Sequence, residues 1–72
     1  MRLLIAEDNP KLLKSLIRIF EQNNFVVDGV SSGDDALSYA QTEEYDGLVL
    51  DIMMPGMDGI EVLKRLRAEN ES

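Results

Sequence analysis

The stretch that decides the fold is LVLDIMMPGMDG, residues 48–59. Three apolar residues lead directly into Asp51, and three more apolar residues precede a proline and two glycines. A short apolar run bounded in this way indicates a buried strand. Pro55 stiffens the segment that follows, while Gly56 and Gly59 permit backbone angles that other residues avoid. The pattern therefore predicts a carboxylate at the end of a rigid strand, beside a stiff, shaped loop.

Two further apolar runs predict strands elsewhere in the chain. The three predicted strands are residues 2–6, residues 25–27, which Val30 would extend, and residues 47–50. A helical pattern follows each of them. Alternation of strands and helices with short connections predicts an α/β fold with a parallel sheet and right-handed crossovers.

Each predicted helix has a recognisable start signal, and the first also has a stop signal. The N-terminal caps are expected to be Asn9 before Pro10, Ser32 with Asp35, and Asp58. The first helix should run to about residue 22, because asparagines at 23 and 24 tolerate the left-handed conformation of a helix end. On the third helix, Glu61 and Arg65 are spaced for an ion pair. Residues 68–72 are expected to be frayed.

Composition narrows the possible functions. The 72 residues suit a single small domain, and the absence of cysteine and histidine excludes disulfides, imidazole catalysis and ordinary zinc sites. A net charge of −7 argues against nucleic acid as a partner. The chain has no apolar run of membrane-spanning length and no signal-peptide pattern, so we expect a cytoplasmic location and no membrane contact.

Acidic residues follow two of the three predicted strands. Glu7 and Asp8 close the first strand, and Asp51 closes the third. Ligands of open parallel sheets bind beyond the carboxyl ends of the strands. If the first and third strands are neighbours, three carboxylates converge there, and their mutual repulsion favours a bound divalent cation. Mg²⁺ fits best, since it takes few carboxylates, keeps waters and is completed by phosphate oxygens.

The segment after the first strand excludes several other sites. AEDNPK, residues 6–11, lacks the glycine-rich loop of a dinucleotide or P-loop site, and the spacing around Asp51 does not match an EF-hand loop. A carboxylate can instead accept a phosphoryl group, a reaction that needs positioning and charge cancellation more than covalent help. Asp51 is the candidate nucleophile. Lys11 is expected to be a solvated surface residue, with a phosphate-binding role as the alternative.

The opening LLIAEDNP, the aspartate after the third strand, and the run LDIMMPGMDGIEVLKRLR closely resemble the receiver domains of two-component response regulators. The similarity covers essentially the whole chain. It implies a flavodoxin-like fold with strand order 2-1-3-4-5, and Asp51 as the phospho-acceptor. It also implies a Mg²⁺ site formed by Glu7, Asp8, Asp51 and the Met53 backbone carbonyl, with Glu7 acting through a water. The phosphate donor would be a histidine kinase or a small phosphodonor.

The chain departs from this family in extent, because receivers have five strand–helix units and only three are predicted here. Residues 1–72 are thus expected to form a truncated receiver domain, a (βα)₃ half of a doubly wound parallel sheet with order 2-1-3. The family's Ser/Thr after strand four and Lys after strand five would be missing. We therefore expect no enzymatic activity and poor signalling by this chain alone. The alternatives are a half-domain that binds Mg²⁺ without being phosphorylated, and a structural homodimer. Such a dimer would form through the edge of the third strand or by exchange of elements.

Overall fold

Strand β1 (Arg2–Ala6) is the middle strand of a three-stranded parallel sheet with the order β2-β1-β3. The computed structural model describes residues 1–70. The other elements are α1 (Pro10–Gln22), β2 (Val26–Val30), α2 (Gly33–Thr42), β3 (Gly47–Leu50) and α3 (Gly59–Asn70). This confirms the predicted α/β class and the strand order 2-1-3.

Both faces of β1 are covered by helices. Leu4 and Ile5, which point to opposite faces, are fully buried. Helix α1 lies on one face, where Leu13 and Ile17 approach β2 at Gly29. Helices α2 and α3 lie on the other face, where the main hydrophobic cluster forms; its buried members are Leu4, Ala6, Val30, Ala36, Met54 and Val62. A near-continuous apolar strand is the pattern expected when helices cover both faces.

The helix boundaries follow the predicted caps. Asn9 accepts hydrogen bonds from the backbone N–H groups of Lys11 and Leu12, at 3.0 and 3.1 Å. The Ser32 hydroxyl accepts from the N–H of Asp35, and Asp58 accepts from the N–H of Glu61. Asn24 has φ of 70° after α1, and the predicted Glu61–Arg65 ion pair forms at 3.2 Å. These predictions are confirmed.

Two predicted boundaries were wrong. Strand β2 begins at Val26, because the N–H of Phe25 bonds back to the carbonyl of Phe20 in the turn that ends α1. Helix α3 continues to Asn70, so residues 68–70 are helical instead of frayed. A hydrogen bond from Gln41 of α2 to Glu69 holds this last turn. Residues 71 and 72 lie outside the described part of the chain.

A charged network that the sequence did not predict forms around Arg2, at the amino end of β1. The Arg2 guanidinium contacts Asp28 at 2.9 Å and Glu43 at 3.1 Å, and lies 5.0 Å from the centre of the Tyr45 ring. The Tyr45 hydroxyl donates to the same Asp28 oxygen at 2.6 Å. Because these residues come from β1, β2 and the segment before β3, the network joins all three strands.

The network shifts the pKa values of its members. Burial and the hydrogen bond to Asp28 raise the pKa of Tyr45 to about 12. The Tyr45 hydroxyl, assisted by Arg2, lowers the pKa of the Asp28 carboxyl below its usual value. Bonds to Glu43 and Asp28 raise the pKa of Arg2. The neutral phenol, the ionised carboxylate and the guanidinium are thus the forms that the fold favours.

The raised pKa of Tyr45 predicts a loss of stability in alkali. Unfolded Tyr45 ionises near its ordinary value of 10.0, whereas the folded form keeps its proton until about pH 12. The stabilisation is therefore complete below pH 10 and is lost as the pH rises to 12. We expect a loss of about 1–2 kcal/mol in the free energy of unfolding, after allowing for solvent screening. Urea unfolding at a series of pH values measures it.

Tyr39 is the other tyrosine of the chain, so the Tyr39→Phe variant provides the background for this measurement. In this variant the phenolate absorbance reports the ionisation of Tyr45 alone. Adding Tyr45→Phe should remove the alkaline component of stability in this pH window. A titration of Tyr45 at its ordinary value in the folded protein would contradict the network.

Candidate functional site

The carboxyl ends of β1 and β3 lie side by side. Ala6 is in register with both Val30 and Leu50, so the residues that follow the three strands emerge at one edge of the sheet. Backbone bonds continue just beyond the strands: the N–H of Glu7 donates to Val30 at 3.1 Å, and that of Asp51 donates to Ala6 at 2.9 Å. This pairing holds the two acidic segments next to each other.

The structure brings Glu7, Asp8 and Asp51 together. One carboxylate oxygen from each lies within 4.8 Å of the other two, and among residues 1–70 no other cluster of three potential metal-binding side chains is this close. Glu7 is only 8% exposed, Asp51 is half-buried and Asp8 is exposed. The site therefore has a buried floor and an open side from which a ligand can enter.

Hydrogen bonds orient two of these carboxylates. An oxygen of Glu7 accepts from the N–H of Asn9 at 2.9 Å, the same Asn9 that caps α1. Asp51 accepts from the N–H of Met53 at 3.4 Å, a long bond across the first turn of the loop. Both side chains are thus held by the backbone that follows their own strand.

The loop after β3 has one buried and one exposed side. Met54 packs into the hydrophobic cluster, whereas Ile52 and Met53 are 59% and 79% exposed. With Asp8, these residues border an open cleft of about 480 Å³. Of the three clustered acids only Asp8 lines the cleft, so the cleft lies beside the acidic site. The metal-binding role of the Met53 carbonyl remains a prediction.

Helix α2 supports this loop, a contribution that the sequence analysis missed. Gly33 packs so closely against the loop that a Cβ there would overlap the Met57 carbonyl oxygen. Gly56 has φ of 79°, in the region that favours glycine, and the Asp34 carboxylate lies against it. The available sequence signal was Gly33, which directly follows the helix cap Ser32. Its partner Met57 lies 24 positions away and could not be predicted from the local pattern.

The ligand set suits a hard cation. All three clustered side chains offer oxygen, and no lysine or arginine of residues 1–70 forms an ion pair with any of them. Ionised carboxylates this close repel one another unless a cation lies between them. Mg²⁺ and Ca²⁺ both take oxygen ligands, and Mg²⁺ is the one usually held by one or two carboxylates together with waters. The residues present therefore fit Mg²⁺.

The family model for the response regulator receiver domain matches residues 3–72. The chain belongs to this family. Among characterised relatives, the transcriptional regulatory protein TctD of Salmonella typhimurium strain LT2 is 49% identical over 72 residues, which are the whole of this chain and 32% of TctD. This receiver chain therefore spans about a third of that relative.

Solved receiver structures agree with the fold. The receiver domain of the Francisella response regulator 1452 superposes with a TM-score of 0.94 at 38% identity, over 96% of this receiver chain and 57% of that protein chain. The response regulator TrrA of Thermotoga maritima, solved in complex with Mg²⁺–BeF, superposes with a TM-score of 0.92 at 30% identity. That match covers 97% of this chain and 61% of TrrA. The similarity confirms the flavodoxin-like receiver fold for the three units present.

The junction between Asp51 and α3 should tolerate no side chain at Gly59. A Cβ there would overlap the Asp51 carbonyl oxygen, which belongs to backbone that cannot move freely. We expect Gly59→Ala to lower the free energy of unfolding by about 1–3 kcal/mol, although alanine is the better helix former. Gly47→Ala is the control, since its Cβ would meet only the flexible end of Leu3 at 3.0 Å. If urea unfolding showed the same loss of free energy for Gly59→Ala and Gly47→Ala, it would contradict this packing.

Proposed function

We propose that this chain is a phospho-accepting receiver module, with Asp51 taking a phosphoryl group from a histidine kinase or a small phosphodonor in a Mg²⁺-dependent reaction. The observation that carries the proposal is the convergence of Glu7, Asp8 and Asp51 at the carboxyl edge of the sheet. Family membership and the Mg²⁺–BeF complex of the relative TrrA support it.

Four groups would hold the ion: the carboxylates of Glu7, Asp8 and Asp51 and the backbone carbonyl of Met53. Bound Mg²⁺ supplies cancellation of negative charge on the incoming phosphoryl oxygens. Glu7, which is buried and fixed by the Asn9 N–H, would act through a water, and the exposed Asp8 directly. Asp51 would serve both the ion and the phosphoryl group with its two oxygens.

The transfer forms one bond and breaks one. A carboxylate oxygen of Asp51 attacks phosphorus, and the bond from phosphorus to the donor atom breaks, leaving its electron pair on the donor. The product is a mixed anhydride on Asp51. The Asp51 carboxylate accepts a long hydrogen bond of 3.4 Å from the Met53 N–H, and Asp51 is half-buried, so a phosphorylated donor would approach it from the open side of the site. The N–H of Asp51 bonds to the Ala6 carbonyl and that of Gly59 to the Ile52 carbonyl, which fixes the backbone on both sides of the loop.

We further propose that these 72 residues act within a longer regulator located in the cytoplasm. The relative TctD is described as a transcriptional regulatory protein, and this chain spans 32% of it. With a net charge of −7, DNA contacts would belong to another part of such a regulator. No helix within residues 1–70 is long and apolar enough to cross a membrane. In this proposal the chain accepts phosphate and is not an independent enzyme.

A second candidate is a structural half-domain that self-assembles into a homodimer, through the edge of β3 or by exchange of elements. The observation that favours it is the outer edge of β3: within residues 1–70 this strand pairs only with β1, and Leu48 and Val49 are more than a third exposed. In this case Mg²⁺ binding would be residual and Asp51 would remain unmodified.

Incubation with a small phosphodonor and Mg²⁺, followed by intact mass spectrometry, tests the main proposal. We expect a phosphoryl adduct on a minor fraction of the chain, since the Ser/Thr and Lys that contact the phosphoryl group in the family are not among these residues. The adduct should be lost without Mg²⁺ and in Asp51→Asn. Asp58→Asn is the matched control, because it removes one nearby charge and asparagine still caps α3.

An adduct that still forms in Asp51→Asn, or that forms equally well without Mg²⁺, would overturn the assignment of Asp51 as the Mg²⁺-dependent phospho-acceptor. Absence of any adduct, in a sample that still binds Mg²⁺, would favour the structural half-domain.

A further inference from the structure

The segment that joins β2 to α2 touches both acidic parts of the site, although none of the proposed ligands belongs to it. This segment, the β2–α2 junction, comprises residues 30–34. At its start, Val30 lies in register with Ala6, and its carbonyl accepts a hydrogen bond of 3.1 Å from the N–H of Glu7. The start of the junction therefore fixes the backbone of Glu7.

The end of the junction lies against the loop after β3, residues 51–58. Gly33 is buried, and it leaves no room for a side chain between itself and the Met57 carbonyl. The next residue, Asp34, is exposed, and its carboxylate lies against Gly56, the glycine with φ of 79°. Two consecutive residues of the junction thus contact two consecutive residues of the loop.

The middle of this loop has no hydrogen bonds to hold it. Within the described part of the chain, no hydrogen bond involves residues 54–57. The ends are joined by the bond of 3.0 Å from the N–H of Gly59 to the Ile52 carbonyl, and Met54 packs into the hydrophobic cluster. A loop without hydrogen bonds of its own depends on the surfaces around it. The backbone of Gly33 is such a surface.

The junction is itself firmly anchored. The Ser32 hydroxyl accepts from the N–H of Asp35 at 3.2 Å, and the Ser32 carbonyl accepts from the N–H of Ala36 at 3.0 Å. Ala36 is fully buried, in the same cluster as Val30 and Met54. Because closely packed interiors transmit displacements, this helix start sets the position of the loop that it touches.

We propose that the β2–α2 junction positions the cation site, by holding the segment of Glu7 and the loop after Asp51 relative to each other. Gly33 is its positioning residue and touches neither the ion nor the phosphoryl group. A side chain there would displace the Met57 backbone, which follows Met53 by only four residues. The displacement then reaches the Met53 carbonyl and the Asp51 carboxylate. This inference rests on the Mg²⁺ site of the proposed function and adds a residue outside its ligand set.

Mg²⁺ is sensitive to such a displacement. It requires near-ideal octahedral geometry with ligand distances of about 2.0–2.1 Å. Changes to the groups that orient metal ligands typically cost about 10–100-fold in affinity. A shift of the loop therefore lowers Mg²⁺ affinity by more than the loss of stability alone would explain.

Gly33→Ala tests the proposal, with Gly29→Ala as the matched control. The control makes the same change on β2, but its Cβ would meet side-chain atoms of Leu13 and Ile17 on α1, away from the loop. In metal-free spectra of the ¹⁵N-labelled chain, Gly33→Ala should shift the amide signals of Asp51 and Met53, and Gly29→Ala should leave them in place. Titration with Mg²⁺ alone, followed on the folded protein, should give a Kd about tenfold higher for Gly33→Ala than for Gly29→Ala.

Gly56→Ala makes the same test from the loop side if Gly33→Ala does not fold. Its Cβ would overlap the Asp34 carboxylate, so the Asp51 and Met53 signals should again shift. Adding Asp34→Ala removes that overlap and leaves the backbone strain at position 56 unchanged. The second substitution should therefore move the signals back toward their original positions.

Two results would overturn the positioning role: Asp51 and Met53 signals that do not move in Gly33→Ala, or equal Mg²⁺ affinities in Gly33→Ala and Gly29→Ala. In the Gly56→Ala series, signals that Asp34→Ala does not move back would do the same. An unmodified chain that binds no Mg²⁺ would instead overturn the cation site of the proposed function. The metal-free spectra would then still decide whether the junction holds the loop.

Discussion

The pairing of β1 with a parallel strand on each side is the interaction on which the rest of the structure depends. Because Ala6 is aligned with both Val30 and Leu50, the chain after β1 and the chain after β3 must leave the sheet at the same edge. Their first residues are acidic. The burial of Leu4 and Ile5 keeps the strand from sliding, since a shift of one residue would exchange its two faces. The position of the acidic site is thus a consequence of core packing.

The two ends of the sheet differ in whether their acidic side chains have basic partners. At the amino end, Asp28 and Glu43 contact Arg2, and Tyr45 completes the network, so charge there is compensated within the fold. At the carboxyl end, the three clustered acids have no basic partner among residues 1–70. The first arrangement stabilises the sheet, whereas the second calls for a cation from solution. This contrast separates a structural cluster from a binding site.

Local sequence patterns predicted most of the fold and the three acids of the site. A cap such as Asn9 and an apolar run such as residues 2–6 can be recognised because each depends on only a few neighbouring residues. The acids that follow the strands can be placed together once the strand order is known. Contacts between distant segments were missed. Arg2 of β1 contacts Asp28 of the neighbouring β2, and Gly33 packs on Met57. In the sequence, Arg2 looks like an ordinary surface arginine and Gly33 like an ordinary turn glycine. Their roles depend on partners that are distant in the sequence and come close only when the chain folds.

Paramagnetic relaxation by Mn²⁺, a cation that shares the oxygen preference of Mg²⁺, tests the central claim most directly. In a spectrum of the ¹⁵N-labelled chain, substoichiometric Mn²⁺ should first broaden the amide signals of Glu7, Asp8 and Asp51. Those of Arg2 and Tyr45, at the amino end of the sheet, should persist, and excess Mg²⁺ should restore the lost signals. Broadening spread over the fourteen acidic residues, or signals that Mg²⁺ does not restore, would contradict a cation site at the carboxyl edge.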